Sequence, residues 1–397
     1  MSEQPLALGG DELEHLDFGA SQPVIAELMR SVERHAESLA RRVREDFELI
    51  STCSELRRIV GGAKRFPAVD SIAPPSGVAV DSTFPPEGGV DMVVGTLIGV
   101  VAGYVAYRVP GEWGAREKRY VVARTLLVEK QEEATKIASL YSKLLERLLT
   151  LRLVAEQLPE GSVVLIDGEV VPYTLLFTRV KTRPKRRLDE VTAKLLETAA
   201  ERRIALIGVV KRSYTTLLNA YAARCGSRLR LNDKAVFSIV LRPGEVAEIG
   251  RFSDILPSYA ATLQNGSRLA RVVEERLRER SAYGEIVVGY YKPRRVPQSW
   301  QAVKIEVYAP WLNDSLSAAA SHLDGLTSPA TGLPYPIDLI DEVVRIEARA
   351  LEVVRYRLVR LLRERLQEQG VPDTHALTLT LHTNPEKRYL YQPRGAR

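Results

Sequence analysis

The groups in this chain that can do chemistry are carboxylates set at the ends of β-branched runs. Gly77-Val78-Ala79-Val80-Asp81-Ser82-Thr83 carries Asp81 to the end of an apolar stretch and breaks at Phe84-Pro85-Pro86. Val163-Val164-Leu165-Ile166-Asp167-Gly168 does the same for Asp167, and Glu146 lies between the two in a long helical pattern. A strand that ends in Asp brings a negative charge to a sheet edge, where a hard cation can be held. Carboxylates gathered within a few ångströms raise one another's pKa unless cations neutralise them. Oxygen-only ligand sets suit Mg²⁺ or Mn²⁺. Two such ions roughly 4 Å apart activate a water and stabilise the leaving oxygen when a phosphodiester is hydrolysed. The spacing permits the meeting: about three helical turns follow Glu146, and a returning strand then brings Asp167 back along the helix axis.

The elements that must position these groups follow from periodicity. A helix is expected from about Pro23 to Ile50, with Val24, Leu28, Val32, Leu39, Val43 and Phe47 at helical spacing, and a shorter one around Ser54 to Val60. A Pro/Gly-rich connector from Phe66 to Gly77 separates this arm from the main domain. Strands are expected at Gly77 to Asp81, within Met92 to Val109, and at Arg119 to Val128. Next comes a helix from about Glu129 to Gln157, with Ile137, Leu140, Leu144, Leu148, Leu151 and Val154 as its buried stripe. After Asp167 the pattern gives a partner strand near Val171 to Val180, a helix Leu188 to Arg202 and a strand Ile204 to Lys211. A helix near Tyr214 to Arg224, a segment Asp233 to Leu241, a helix Ser267 to Arg280, and strands Glu285 to Lys292 and Ala302 to Tyr308 follow. One helix is expected from about Pro336 to Gln369, then a strand Ala376 to His382 and a basic tail. The alternation reads as an α/β fold. The expected division is a helical N-terminal arm at 1–66 and a main domain at 75–397, with its core at about 77–310 and a C-terminal helix and tail at 336–397.

Composition sets outer limits. A chain of 397 residues can bury a large core, and a formal net charge of +6 is compatible with a polyanionic partner. Cys53 and Cys225 are too few for a disulfide framework or a cysteine-rich zinc site, which fits a reducing cytosol. Met1 to His15 has neither the basic nor the apolar region of a signal peptide, so a cytoplasmic location is expected. Met92 to Val109 carries a single charge, Arg108, with Gly95, Gly99 and Gly103 at the spacing of a membrane-helix face. Its Val, Thr and Tyr content favours a long buried strand instead, and a span here would put Asp81 and Asp167 on opposite sides of a membrane. No G-x-x-x-x-G-K-[ST] loop occurs, so ATP hydrolysis is not expected.

The order strand Asp, helix Glu, strand Asp is that of ribonuclease H-like nucleases. Ala79-Val80-Asp81-Ser82, Leu165-Ile166-Asp167-Gly168, Ile207-Gly208-Val209-Val210-Lys211-Arg212-Ser213, Asn232-Asp233 before Leu241-Arg242-Pro243-Gly244-Glu245, Tyr290-Tyr291-Lys292, Lys304-Ile305-Glu306 and Leu333-Pro334-Tyr335-Pro336 resemble, in this order, the blocks of NurA nucleases. The resemblance implies a ribonuclease H-like mixed sheet flanked by helices. It further implies Mn²⁺-dependent (or Mg²⁺-dependent) 5′-to-3′ exonuclease and single-strand endonuclease activity on DNA, with two ions per site. A homodimer, and partnership with a HerA-type hexameric ATPase in DNA-end resection for recombinational repair, are implied as well. Asp81, Glu146 and Asp167 match the metal-binding positions. A fourth acid is expected on the late helix, where Asp341 is the candidate and Val343 stands where the family often has a polar residue. His382 becomes a candidate through the family's use of a late histidine near the metals.

Other groups have two readings each. Tyr290, Lys292 and Lys211 lie at strand ends, where they can orient a phosphate or a water, or simply form core edge and solvent contact; Lys211 and Arg212 are also candidates for binding DNA. The run Arg179 to Arg187 holds six cations in nine residues. Arg183, Lys185, Arg186 and Arg187 are its candidates for gripping a DNA backbone, with strong salt dependence; a solvated loop and helix start is the alternative. Competing functions are a structure-specific junction or RNA/DNA-hybrid endonuclease on the same fold, and a non-catalytic DNA-binding scaffold. The arm Pro23 to Ile50 and the segment His375 to Arg397 are expected to serve dimerisation and docking.

Overall fold

The run Val163–Asp167 is apolar at every position before its carboxylate, the pattern of a strand covered on both faces, and it lies in the middle of a mixed sheet. The computed structural model describes residues 22–68, 77–85, 90–92, 95–107 and 119–371. Helices α1 (Gln22–Thr52) and α2 (Ser54–Val60) precede strands β1 (Lys64–Arg65), β2 (Gly77–Thr83), β3 (Val90–Met92), β4 (Gly95–Tyr107) and β5 (Arg119–Val128). Helix α3 (Ala134–Arg152) leads to β6 (Val163–Asp167), α4 (Tyr173–Leu176), α5 (Arg183–Glu201) and β7 (Ala205–Val210). Then follow α6 (Asn219–Ala222), α7 (Asp233–Val240), β8 (Glu245–Arg251), α8 (Phe252–Ala261), α9 (Gly266–Glu279) and α10 (Ser281–Gly284). The described chain ends with β9 (Val287–Tyr291), β10 (Val303–Tyr308), α11 (Ser315–Gly325), α12 (Tyr335–Val344) and α13 (Ala348–Glu368).

Among the described residues these strands form one sheet in the order β1-β8-β9-β10-β7-β6-β2-β4-β3, with β5 also paired to β4. The central strands β2, β6 and β7 run parallel, and antiparallel strands extend the sheet on both sides. This is the ribonuclease H-like mixed sheet with helices on both faces. One face buries Val80, Ile166 and Leu206 against Leu144 of α3 and Leu188 of α5. The other buries Ala79, Leu165 and Val209 against Leu323 of α11 and Ile340 of α12. Within the stretch from Met92 to Val109, Gly95–Tyr107 form β4, paired with β2 over Val101 to Tyr107 and with β5 over Thr96 to Val105, and among the described residues no helix is long and apolar enough to cross a membrane.

Several expected elements take another form. No strand forms between Val171 and Val180; the short helix α4 stands there, because β6 already has β2 on one edge and β7 on the other. The expected helix Pro336 to Gln369 is two helices, α12 and α13, separated at Arg345–Glu347. The break follows packing: α12 buries Ile337, Ile340 and Val344 on the sheet, whereas α13 exposes Val353 and Tyr356. The stripe of α3 is also displaced. Leu144 and Val154 are buried as expected, but Leu148 is exposed, and Ala138, Ser142, Glu146 and Thr150 are buried as well, since α3 is held between the sheet and α5 and has more than one covered side. The segment from Asp233 is helix α7, capped by the Asn232 side chain, which accepts from the Ala235 amide at 2.8 Å. Strand β8 and helices α8 and α11 were not anticipated.

Cys53, at the junction of α1 and α2, forms a disulfide with Cys225. The sequence argument from few cysteines to a reducing compartment therefore does not hold; a single pair is enough to pin the end of α1 to the body. The expected strand Ala376 to His382 and the tail lie outside the described residues.

Candidate metal centre

Side-chain alternation decides which carboxylates meet. Along a strand, residues two apart share a face. Asp81 continues the Val-free face of Ala79, and Asp167 that of Leu165, so both project on the side covered by α12. There they meet Asp341: one oxygen from each of Asp81, Asp167 and Asp341 lies within 4.8 Å of the others. Lys211, in register with Val209 and directly after β7, reaches the same place, with its Nζ 2.8 Å from Asp167 Oδ2 and a second ion pair to Asp341. Gly103 pairs with Asp81 across the sheet. A Cβ there would lie 2.8 Å from the Tyr120 carbonyl oxygen, 3.0 Å from Val344 Cγ1 and 3.5 Å from Ile340 Cδ1, so the missing side chain leaves room both for β5 and for α12, the helix that carries Asp341.

Glu146 approaches from the other face. Its carboxylate is fully buried, accepts from Ser82 Oγ at 2.7 Å and pairs with the buried Arg147. Arg147 in turn donates to the Glu169 carbonyl at 2.5 Å, tying α3 to the turn after Asp167. Lys143 Nζ stands 3.9 Å from Glu146 Oε2. Glu146 thus flanks the cluster, with its charge already balanced by Arg147, rather than sharing the three-carboxylate junction. Gly168 follows Asp167 at φ +121, a conformation open to glycine and not to L side chains, and a Cβ there would meet Lys143 Nζ at 3.2 Å.

The electrostatics are those of crowded anions. Burial, then the charges of Asp167 and Glu146, push Asp81 up to about 8, against the pull of the Ser82 amide bonded to its Oδ1. Burial pushes Asp167 up to about 6, with Lys211 working the other way. Burial disfavours the Lys211 ammonium, but Asp167 and Asp341 outweigh it and hold the amine above its ordinary range. All donors in the junction are carboxylate oxygens at a partly open edge, which fits a hard divalent ion such as Mn²⁺ or Mg²⁺; Asp81, Asp167 and Asp341 would hold it.

The remaining candidates are placed elsewhere. Tyr290 and Lys292 fall on the face opposite to Asp81 and Asp167. Tyr290 stacks on Phe237 and donates to Ser213 Oγ at 3.1 Å. The Lys292 ammonium is spent on the carbonyls of Ser238, Leu241 and Gln298. Lys185 is buried and donates to the carbonyls of Thr178 and Arg179, whereas Arg183, Arg186, Arg187 and Arg212 are exposed. His382 lies outside the described residues. Sequence reasoning missed Ser82, Lys143 and Arg147 as neighbours of the acids. Ser82 sits beside Asp81 in the same run, while nothing in a helical pattern signals a fully buried arginine. A pocket of about 460 Å³ opens next to the cluster, lined by Lys211, Lys234, Trp300, Gln301, Thr331 and Leu333 among others.

A ribonuclease H-like mixed sheet with three carboxylates gathered where its parallel strands end defines a class of α/β proteins. Residues 75–346 match the model of the NurA domain, and the chain belongs to the NurA family. The fold is similar to that of the NurA nuclease from Sulfolobus solfataricus, at 14% identity and a TM-score of 0.57, covering 88% of this chain and 98% of that one. A structure of NurA bound to dAMP and manganese is similar at 14% identity and TM-score 0.49, over 80% of this chain and 94% of that one. The catalytic domain of human endonuclease V aligns at 13% identity and TM-score 0.37, over 81% of this chain and 98% of that one. No curated protein matches the chain.

Proposed function

We propose that the protein is a divalent-metal-dependent nuclease that hydrolyses phosphodiester bonds in DNA. The observation that carries this reading is the junction of Asp81, Asp167 and Asp341 carboxylates beside Lys211, at an edge where a substrate can enter. A bound Mn²⁺ or Mg²⁺ ion would activate a water and stabilise the leaving oxygen. The chain's own groups do the rest. Asp81 and Asp167, fixed at strand ends, aim their oxygens at one point; the Ser82 amide orients Asp81; Arg147 holds Glu146 beside them. The pocket lined by Lys211, Lys234 and Trp300 offers cationic and aromatic surface for a nucleotide next to the scissile phosphate. Family membership and the nuclease activity named for its relatives support the reading.

The finer reading is a 5′-to-3′ exonuclease and single-strand endonuclease acting in the cytoplasm in DNA-end resection, as a homodimer with a HerA-type hexameric ATPase. Helix α1 supports a dimer, because it leaves Leu28, Met29, Val32 and Leu39 exposed along one side. The test compares blunt, tailed and branched DNA and an RNA/DNA hybrid, with Mn²⁺ or a chelator, with and without the ATPase. Cleavage of DNA ends and single strands only with metal, stimulated on duplex by the ATPase, is expected. Metal-independent cleavage, or none on any substrate, would overturn the assignment.

A further inference from the structure

The loop that leaves β7, from Lys211 to Leu218, is fastened on both sides of a single exposed ring. The Lys211 carbonyl accepts from Lys234 Nζ at 2.7 Å. The buried Ser213 hydroxyl meets Thr215 Oγ1 at 2.9 Å and accepts from the Tyr290 hydroxyl at 3.1 Å. Asp233, buried at the start of α7, accepts from the Thr215 hydroxyl and from the amides of Leu217 and Leu218, and its own amide donates to the Thr215 carbonyl at 2.9 Å. Within this frame the Tyr214 side chain is 82% exposed, the largest value for a bulky apolar side chain among the described residues. It has no hydrogen bond or ring contact there. Fixing a loop costs conformational entropy, and a solvated tyrosine does not require it. A ring already held in place can stack a planar group at little further entropic cost. The loop also fixes where that group would lie: Lys211 reaches Asp167 from its first residue, and Tyr214 follows three residues later, at most about 11 Å along the backbone.

We infer that Tyr214 is a stacking platform for an unpaired base of the substrate strand beside the scissile phosphate. Its neighbours favour a base over a protein partner. An aromatic anchor in a protein contact sits among further apolar side chains, whereas Tyr214 follows two cations, Lys211 and the exposed Arg212, and a basic track with an interleaved aromatic is the makeup of single-strand binding. A base inside a duplex has no free face, so the platform selects single strands and frayed ends over blunt duplex. Tyr290 and Asp233 are then positioning residues: they act through the loop that carries the ring. The inference rests on the nuclease reading above and deepens it by naming what selects the unpaired strand.

The test uses the full-length protein with a chelator present, so that strands are bound and not cut. A single strand carrying 5-iodouracil, which crosslinks on irradiation to an aromatic side chain stacked against it, is expected to label Tyr214, with the adduct located by mass spectrometry. Tyr214→Ala should weaken single-strand binding about tenfold, and leave blunt-duplex affinity and the slope of log K against log salt as they were. Tyr214→Phe keeps the ring and should bind like wild type; circular dichroism checks that both variants fold. Single-strand binding by Tyr214→Ala equal to that of wild type would overturn the inference, as would an equal loss in Tyr214→Phe, or a wild type that binds no single strand. A change of mass in solution with single-strand binding intact would overturn it in favour of a protein contact. Should wild type bind and crosslink through Tyr214 yet cleave nothing when Mn²⁺ is supplied, the platform is upheld and the nuclease reading alone fails.

Discussion

The two faces of the central sheet each bury ionised groups, and they treat them in opposite ways. On the α3 face, Lys304 pairs with Glu306 at 2.9 Å, Glu306 also accepts from the Val170 amide and the Tyr173 hydroxyl, and Lys292 has three carbonyl partners. Asp233 accepts the amides of Leu217 and Leu218. Every charge there has its partners within the protein. On the α12 face, three carboxylates share one lysine. The first arrangement is a completed network that fixes the loop after Asp167; the second gathers more carboxylates than cations, which supports the cation site proposed there. Burial alone does not mark a functional site. An unbalanced charge at an accessible edge does.

Removing the imbalance has the largest expected effect. Asp81→Asn and Asp167→Asn should each lower Mn²⁺-dependent cleavage by at least about a thousandfold, because an amide supplies no ligand charge, with the fold retained by circular dichroism. Near-normal turnover by either variant would remove these residues from the centre. The same variants carry a pH signature. Asp81 titrates at about 8 in the fold and Asp167 at about 6, both above the 3.8 of an ordinary aspartate. Each group holds its proton more tightly folded than unfolded, so the stability it contributes is complete below about pH 4 and is lost as pH rises, through 6 for Asp167 and 8 for Asp81. Metal-free wild type should melt lower at pH 8 than at pH 5, and Asp81→Asn should flatten that difference.

Breaking the completed network should act on stability first. Lys304→Met leaves Glu306 buried without its cation, which typically costs about 3–5 kcal/mol. Denaturant unfolding of the metal-free protein should show this loss, whereas Asp81→Asn at pH 8 should gain. If both variants lost stability equally, the two faces would not differ in the way described.

How much of this was legible in the sequence depends on where each carboxylate sits. Asp81 and Asp167 could be read directly, because β-branched runs announce strands and period-two alternation fixes a face. The same alternation, applied to Tyr290 and Lys292, puts them on the opposite face, and Lys211 on the shared one. Asp341 could be named but not located: its arrival depends on how closely α12 packs over Gly103, a tertiary fact. Glu146 could be placed on a long helix, but its full burial was not legible, since small and polar residues of α3 face the sheet. The break between α12 and α13 has no Pro or Gly to signal it. The pairing of Cys53 with Cys225 joins segments 172 residues apart, beyond the reach of any local pattern.

The smallest expected effect sharpens the comparison at the entrance to the site. Helix α5 follows β6, so its first turn lies at the same end of the sheet as Asp167. That turn divides the basic run as the sheet divides its charges. Lys185 turns inward to the carbonyls of Thr178 and Arg179, while Arg183, Arg186 and Arg187 face solvent, the last within 3.4 Å of Glu190. Only the outward group is free to meet phosphates. Each phosphate neutralised on duplex DNA contributes about 0.9 to the slope of log K against log salt, so replacing all three by Gln should reduce that slope by about two to three units. The Glu190 pair should keep the loss nearer two. Binding should weaken similarly on unrelated sequences, because phosphates carry no base identity. Lys185→Gln should do the reverse, lowering the melting temperature and leaving the slope as it was. Salt titrations of fluorescent oligonucleotide binding measure both. A triple variant with an unchanged slope would mean that this turn is solvated surface and that DNA enters along another side.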